Sequence, residues 1–111
     1  MNVMPKVLIV DDQPDFLDLV GLILDAAGYH PFLAYDGVEA LDILKQEAID
    51  LILADIGMPK INGYQLFQQV QQNPSWQTIP FIFISAPPRV SFGPSLCINL
   101  FGIPKRSARN L

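Results

Sequence analysis

The chain has 111 residues, enough for one domain with one core, and half of them are hydrophobic, which argues against disorder. Its apolar runs are shorter than the ~20 residues of a membrane helix, and its start lacks a signal peptide. Its single cysteine, Cys97, excludes an internal disulfide. We therefore expect a cytoplasmic protein. The net charge of −4 is unevenly spread: residues 1–55 sum to 2 − 11 = −9, and residues 56–111 carry +5.

Short apolar runs alternate with amphipathic segments along the first 86 residues. The runs are apolar on both faces, as strands of a buried parallel sheet are, and the segments between them repeat apolar residues at helical spacing. This alternation predicts an α/β fold with helices on both sides of the sheet. In chain order we predict a strand at 6–10, a helix from Pro14 with Gly28 as its cap, a strand at 31–35, a helix at 38–47, a strand at 50–54, a helix at 64–72 and a strand at 80–84.

The pattern stops after Ala86. Four prolines interrupt the remaining sequence, no helical period is visible, and only residues 96–101 are predicted as a strand. We therefore expect one domain over residues 1–111, in which residues 87–111 form an atypical tail. The tail carries three basic residues among its last seven, which is weak evidence for nucleic-acid binding.

Polar residues follow three of the predicted strands. Asp11 and Asp12 follow the first strand, Asp55 the third and Ser85 the fourth. Because functional groups gather at the carboxyl ends of parallel strands, the three carboxylates should converge, and each like-charged pair at ~4 Å costs on the order of 4 kcal/mol at an effective dielectric of ~20. A divalent cation such as Mg²⁺ would remove this repulsion. A carboxylate in that setting can act as a nucleophile toward phosphate, and Asp55, which stands alone, is the candidate.

Simpler interpretations remain for the single residues. Asp12 could cap the first helix, and Asp55 could merely end a strand. These simpler interpretations are hard to hold for all of the residues at once, because two strands end in acids and a third ends in a hydroxyl.

Three stretches resemble the receiver domain of response regulators: Val7–Asp12, Asp55–Gly63 and Phe81–Ala86. The similarity covers about residues 5–86. It implies a flavodoxin-like, doubly wound parallel sheet with five strands and five helices. The sequence departs from the family after Ala86, so the last helix is expected to be missing or replaced.

The resemblance also implies a function and a site. A receiver domain accepts a phosphoryl group from a histidine kinase or phosphotransfer protein in two-component signal transduction, and is a phosphoacceptor rather than an enzyme acting on other substrates. The implied metal is Mg²⁺, with Mn²⁺ as a substitute. The implied residues are Asp55 as phosphoacceptor and metal ligand, Asp11, Asp12 and the backbone carbonyl of Gly57 as further metal ligands, Ser85 as a phosphate contact, and Lys105 near the place of the family's lysine.

Two alternatives stay open at this point. A Mg²⁺-dependent phosphohydrolase would also use an aspartyl nucleophile, although such enzymes usually carry it on the first strand with a second Asp two residues later. A receiver-derived domain that has lost switching is the other alternative, because the tail is altered. We further expect that a homodimer could cover a face left bare by the missing helix, that the chain contacts no membrane, and that it binds no nucleic acid without an output domain.

Overall fold

The structure, a computed structural model, describes residues 4–85, 89–91 and 97–99, with side chains described for residues 4–84. Strands and helices alternate over residues 6–85, as predicted. The elements are β1 (Lys6–Val10), α1 (Pro14–Ala26), β2 (His30–Ala34), α2 (Gly37–Gln46), β3 (Leu51–Asp55), α3 (Gly63–Gln71), β4 (Phe81–Ser85), β5 (Arg89–Ser91) and β6 (Cys97–Asn99).

The first four strands form a parallel sheet in the order β2-β1-β3-β4. The chain passes from β1 to β2 on one side and then to β3 on the other, so the strand order reverses between β1 and β3. This doubly wound arrangement confirms the predicted flavodoxin-like fold. In open sheets of this kind, ligands bind at the carboxyl ends of the strands where the order reverses.

The core lies on both faces of the sheet because alternate strand residues point in opposite directions. Leu8 and Ile52 are fully buried on the face covered by α2 and α3, where Leu66 packs against them. Ile9 packs with Leu17 of α1 on the opposite face. Both sides of the central strands are therefore apolar, as the sequence predicted.

Helix α3 is fixed against β4 by aromatic rings. The ring of Phe67 lies 5.2 Å from that of Phe81 and 5.6 Å from that of Phe83, both edge-on, and Tyr64 lies 4.9 Å from Phe83. Such pairs stabilise a fold beyond the area that they bury. They hold the start of α3 close to the end of the sheet.

The face beside α1 is less completely covered than the other. Leu51 and Leu53 of β3 are half-buried, whereas Ile52 and Ala54 between them are fully buried. On α1 itself, Leu22 is 70% exposed. The described residues contain three helices and none after β4, which agrees with the expected absence of the last helix. None of the described helices is long and apolar enough to cross a bilayer.

The expectation that only residues 96–101 could form a strand after Ala86 is wrong. Arg89–Ser91 pairs antiparallel with β4, and Cys97–Asn99, inside the predicted range, pairs antiparallel with β5. These strands also differ from the fully parallel sheet that the resemblance implies. A sheet edge offers free backbone N–H and C=O groups to a returning chain, and such pairing does not require a recognisable side-chain pattern.

Local signals set most helix ends. Pro14 occupies the first turn of α1, and Gly28 beyond its end has a left-handed φ of 94°, which confirms the predicted glycine cap. Asp36 is the N-cap of α2, which begins at Gly37. Its Oδ1 accepts a hydrogen bond of 2.8 Å from the backbone N–H of Glu39.

We predict that Leu8→Ala lowers the free energy of unfolding by about 2–5 kcal/mol, because Leu8 is fully buried and its loss leaves a cavity. Leu22→Ala, the same change on an exposed site, should alter it by less than about 0.5 kcal/mol. Urea denaturation of the two variants checks this. Equal losses would contradict the assignment of the core.

Candidate functional site

Three carboxylates meet at the end of the sheet. Asp11 and Asp12 directly follow β1, Asp55 is the last residue of β3, and the two strands pair in parallel up to Val10 and Ala54. One oxygen from each of the three carboxylates lies within 4.8 Å of the others. Asp11 is buried, Asp55 half-buried and Asp12 exposed. The cluster predicted from sequence is therefore formed, and it opens to solvent on the side of Asp12.

The site is electrostatically unfavourable without a cation. The pKa of Asp11 is raised from 3.8 to about 6, first by burial and then by the carboxylates of Asp55 and Asp12, against the opposing hydrogen bond from Gln13. Burial also raises the pKa of Asp55, with a contribution from Asp12, while the backbone N–H groups of Gly57 and Ile56 lower it. Both directions follow from placing like charges together away from water.

Backbone hydrogen bonds hold the carboxylates in place. Gln13 N–H donates to Asp11 Oδ1 at 2.8 Å, and Gly57 N–H donates to Asp55 Oδ1 at 3.4 Å. The main chain of Asp11 is tied to the sheet, because its N–H donates to the carbonyl of Ala34 at 3.0 Å. The interpretation of Asp12 as a helix cap is wrong, since the N-cap of α1 is Gln13 and no side chain caps it.

The loop between β3 and α3, residues 56–62, brings Gly57 beside Asp55. Ile56 extends the pairing of β3 with β4, because its N–H donates to the carbonyl of Ile84 at 3.0 Å. The carbonyl of Ile56 accepts from the N–H of Gly63, also at 3.0 Å, at the other end of the loop. Met58 is buried in the core. Asn62 and Gln65 form a capping box with two bonds of 2.9 Å at the start of α3. Both ends of the loop are therefore fixed.

The other predicted site residues lie at or beyond the limit of the description. Ser85 is the last residue of β4 and follows Ile84, the partner of Asp55 in the sheet, so its backbone lies at the same edge. Its side chain, and all of Lys105, lie outside the described residues. Their roles stay predictions.

A hard divalent cation fits this donor set. Carboxylate and carbonyl oxygens are the ligands that Mg²⁺ prefers, and it usually binds through one or two carboxylates together with water and phosphate oxygens. The pKa values of Asp11 and Asp55 are raised by burial first and by neighbouring carboxylates second, and a bound cation would favour the ionised form of both groups. The acidic cluster itself is confirmed.

Sequence reasoning missed the supports of the site. The capping box was readable as Asn62-x-x-Gln65, a known helix-start pattern. Lys60 has a left-handed φ of 66°, and its Nζ lies 4.0 Å from Asp36 Oδ2. No sequence pattern indicated either feature. That contact joins the loop to the start of α2, and only the folded chain brings the two together.

The sequence profile of the response regulator receiver domain matches residues 7–92, well over half of the chain. The chain belongs to this family. Receiver domains are phosphoacceptor switch domains of two-component systems, phosphorylated by histidine kinases or phosphotransfer proteins. The phosphohydrolase alternative is therefore not favoured.

Among curated proteins, the chain is 35% identical over 83 residues to the DNA-binding dual master transcriptional regulator RpaA of Synechocystis, covering 75% of this chain and 34% of RpaA. It is 35% identical over 85 residues to the response regulator GtcR of Aneurinibacillus migulanus, covering 77% of this chain and 34% of GtcR. The chain thus spans about a third of the length of these relatives. Among solved structures it resembles the chemotaxis protein CheY4 of Vibrio cholerae with a TM-score of 0.72 at 32% identity, covering 74% of this chain and 68% of CheY4.

We predict that, without metal at pH 7, Asp11→Asn raises the free energy of unfolding by on the order of 1 kcal/mol after allowance for solvent screening. The substitution removes the buried charge and keeps the oxygen that accepts from Gln13. Because the folded pKa of about 6 lies above the ordinary 3.8, wild type binds protons more tightly when folded and gains stability as the pH falls from about 6 to about 4.

The advantage of the Asn variant should therefore shrink at pH 4.5. Paired thermal melts in a chelator at the two pH values measure it. A variant that is less stable than wild type at pH 7 would show that the Asp11 charge does not strain the fold.

Proposed function

We propose that Asp55 accepts a phosphoryl group from a histidine kinase or phosphotransfer protein, in a site where Asp11, Asp12, Asp55 and the backbone carbonyl of Gly57 bind Mg²⁺. The convergence of three carboxylate oxygens within 4.8 Å, where the strand order reverses, is the observation that carries this proposal. The membership of the chain in the receiver family supports it.

The environments of the three carboxylates favour Asp55 as the acceptor. Asp11 is buried, and its Oδ1 accepts a short hydrogen bond of 2.8 Å from Gln13, whereas the bond from Gly57 to Asp55 Oδ1 is longer, at 3.4 Å. Asp12 is exposed and lies outside the sheet. Asp55 is half-buried at the end of β3, a central strand, where a partly dehydrated carboxylate can meet a phosphoryl group that enters from solvent.

The chemistry needs Asp55 in its ionised form. A carboxylate oxygen of Asp55 forms a bond to phosphorus, the bond from phosphorus to the donor's histidine nitrogen breaks, and the electron pair leaves with that nitrogen. The Asp55 carboxyl holds its proton more tightly than usual, which opposes this attack. Bound Mg²⁺ would supply the positive charge that favours the carboxylate and screens the phosphoryl oxygens, and Mn²⁺ would serve in the same way.

Further elements of the proposal rest on the family. Ser85 would contact the phosphoryl group from the end of β4, and Lys105 would supply a second positive charge. The whole chain, residues 1–111, would act as one cytoplasmic domain, with a receiver core at about 5–86 and the tail at 87–111. The output would belong to a downstream partner or to a longer protein.

We predict that millimolar Mg²⁺ raises the melting temperature, because a ligand that binds only the folded state stabilises it by mass action, about 2.7 kcal/mol at 100 times the dissociation constant. The Asp12→Ala variant should need at least about tenfold more Mg²⁺ for the same rise in melting temperature, since it lacks a direct ligand. Asp18→Ala, which removes an acid from α1 instead, is the control. A folded wild type that melts at the same temperature with and without Mg²⁺ would refute the metal site.

We predict that acetyl phosphate with Mg²⁺ adds one base-labile phosphoryl group to the wild-type chain, and that Asp55→Asn takes up none. Intact-mass spectrometry measures the addition. Asp50→Asn is the matched control: Asp50 immediately precedes β3 at its opposite end, and an oxygen remains to accept from the N–H of Lys6. If the Asp55 variant is labelled as fully as wild type, another residue is the acceptor.

A further inference from the structure

Gly63, the first residue of α3, lies against the backbone of the acceptor strand. A Cβ placed on Gly63 would lie 2.5 Å from the carbonyl oxygen of Asp55 and 2.9 Å from the Cα of Ile56. Real Cβ atoms do not approach backbone this closely, and backbone in a sheet cannot easily yield. Any side chain at this position would therefore separate α3 from the end of β3.

Gly37, the first residue of α2, makes a similar contact with the opposite side of the loop. A Cβ placed on Gly37 would lie 2.9 Å from Ile61 Cβ and 3.0 Å from Ile61 Cγ2. The neighbouring Lys60 reaches Asp36, the N-cap of α2, at 4.0 Å. The end of the loop thus packs directly on the start of α2.

The two glycines hold a segment that contributes to the site at its other end. Gly57 lies in this loop, and its N–H already bonds to Asp55. The loop has only seven residues, 56–62, and the hydrogen bond between Ile56 and Gly63 closes it. A shift of Ile61 or of the start of α3 should therefore also move Gly57 and Asp55.

We infer that Gly37 and Gly63 are positioning residues for the metal and phosphoryl site, because their missing side chains let the loop of residues 56–62 pack closely enough to aim the Gly57 carbonyl and the Asp55 carboxylate. The inference rests on the proposed function. Neither glycine is among the proposed ligands. Each acts through the backbone that it supports, as the outer supports of metal ligands generally do.

Mg²⁺ affinity separates this role from a merely structural one. Gly37→Ala should weaken Mg²⁺ binding about tenfold, the lower end of the effect of losing an outer support. Phosphorylation by acetyl phosphate should slow in parallel at low Mg²⁺ and recover in part at saturating Mg²⁺. Gly21→Ala on α1 is the matched control, because its added Cβ would meet only Leu33 side-chain atoms, at an ordinary 3.5 Å.

A second substitution tests the contact itself. Ile61→Gly removes both Cβ and Cγ2, the two atoms nearest to the Cβ that Gly37→Ala would add. The double variant Gly37→Ala/Ile61→Gly should therefore bind Mg²⁺ at least about threefold more tightly than Gly37→Ala alone, a non-additivity expected only of residues in contact. Gly63→Ala should also weaken binding, but Ile61→Gly should not rescue it, because the clash at Gly63 is with the backbone of Asp55 and Ile56. If Gly63→Ala fails to fold, the Gly37 and Ile61 pair decides.

The inference is overturned if Gly37→Ala binds Mg²⁺ as tightly as Gly21→Ala, even when it melts lower in a chelator. It is also overturned if Ile61→Gly does not restore Mg²⁺ affinity to the Gly37→Ala variant. A wild type that binds Mg²⁺ but takes no phosphate overturns the proposed acceptor function alone, and the Mg²⁺ affinities then still decide the inference. A folded wild type that binds no Mg²⁺ overturns both.

Discussion

Repulsion among three carboxylates, held within 4.8 Å of one another, is the constraint on which the rest of the site depends. A chain selected only to fold would keep such charges apart or expose them, because each close pair opposes folding. Here the sheet forces Asp11 and Asp55 together at the ends of adjacent strands, and burial keeps water from screening them fully. The site is thus arranged so that the charge which destabilises the folded chain is the charge that attracts a cation.

Such an arrangement needs a rigid frame. The apolar central strands provide it on both faces, and the aromatic contacts between α3 and β4 fix the helix that closes the loop of residues 56–62. The hydrogen bonds from Gln13 and Gly57 then orient two of the carboxylates. Stability and function are coupled here, since the residues that hold the core also hold the ligands.

The region beside α1 is less completely buried than the rest of the core. Exposed Leu22 and half-buried Leu51 and Leu53 leave apolar surface on that side, and the described chain continues after β4 as antiparallel strands. Receiver domains signal through surfaces that change with phosphorylation. The acidic cluster and the loop of residues 56–62 lie instead at the carboxyl ends of the parallel strands.

The flavodoxin-like fold was implied by the resemblance to receiver domains. The sequence by itself determined the alternation of strands and helices in an α/β sheet and the convergence of Asp11, Asp12 and Asp55. These depend on local patterns: apolar runs, helical spacing, glycine and proline at helix ends, and acids at strand ends. The tertiary structure alone decided which residues support the site. Gly37 meets Ile61, Gly63 meets the carbonyl of Asp55, and Arg89–Ser91 pairs with β4. These contacts join segments distant in sequence or depend on how a loop closes, and backbone pairing or close approach leaves no periodic signal in the residues that make it.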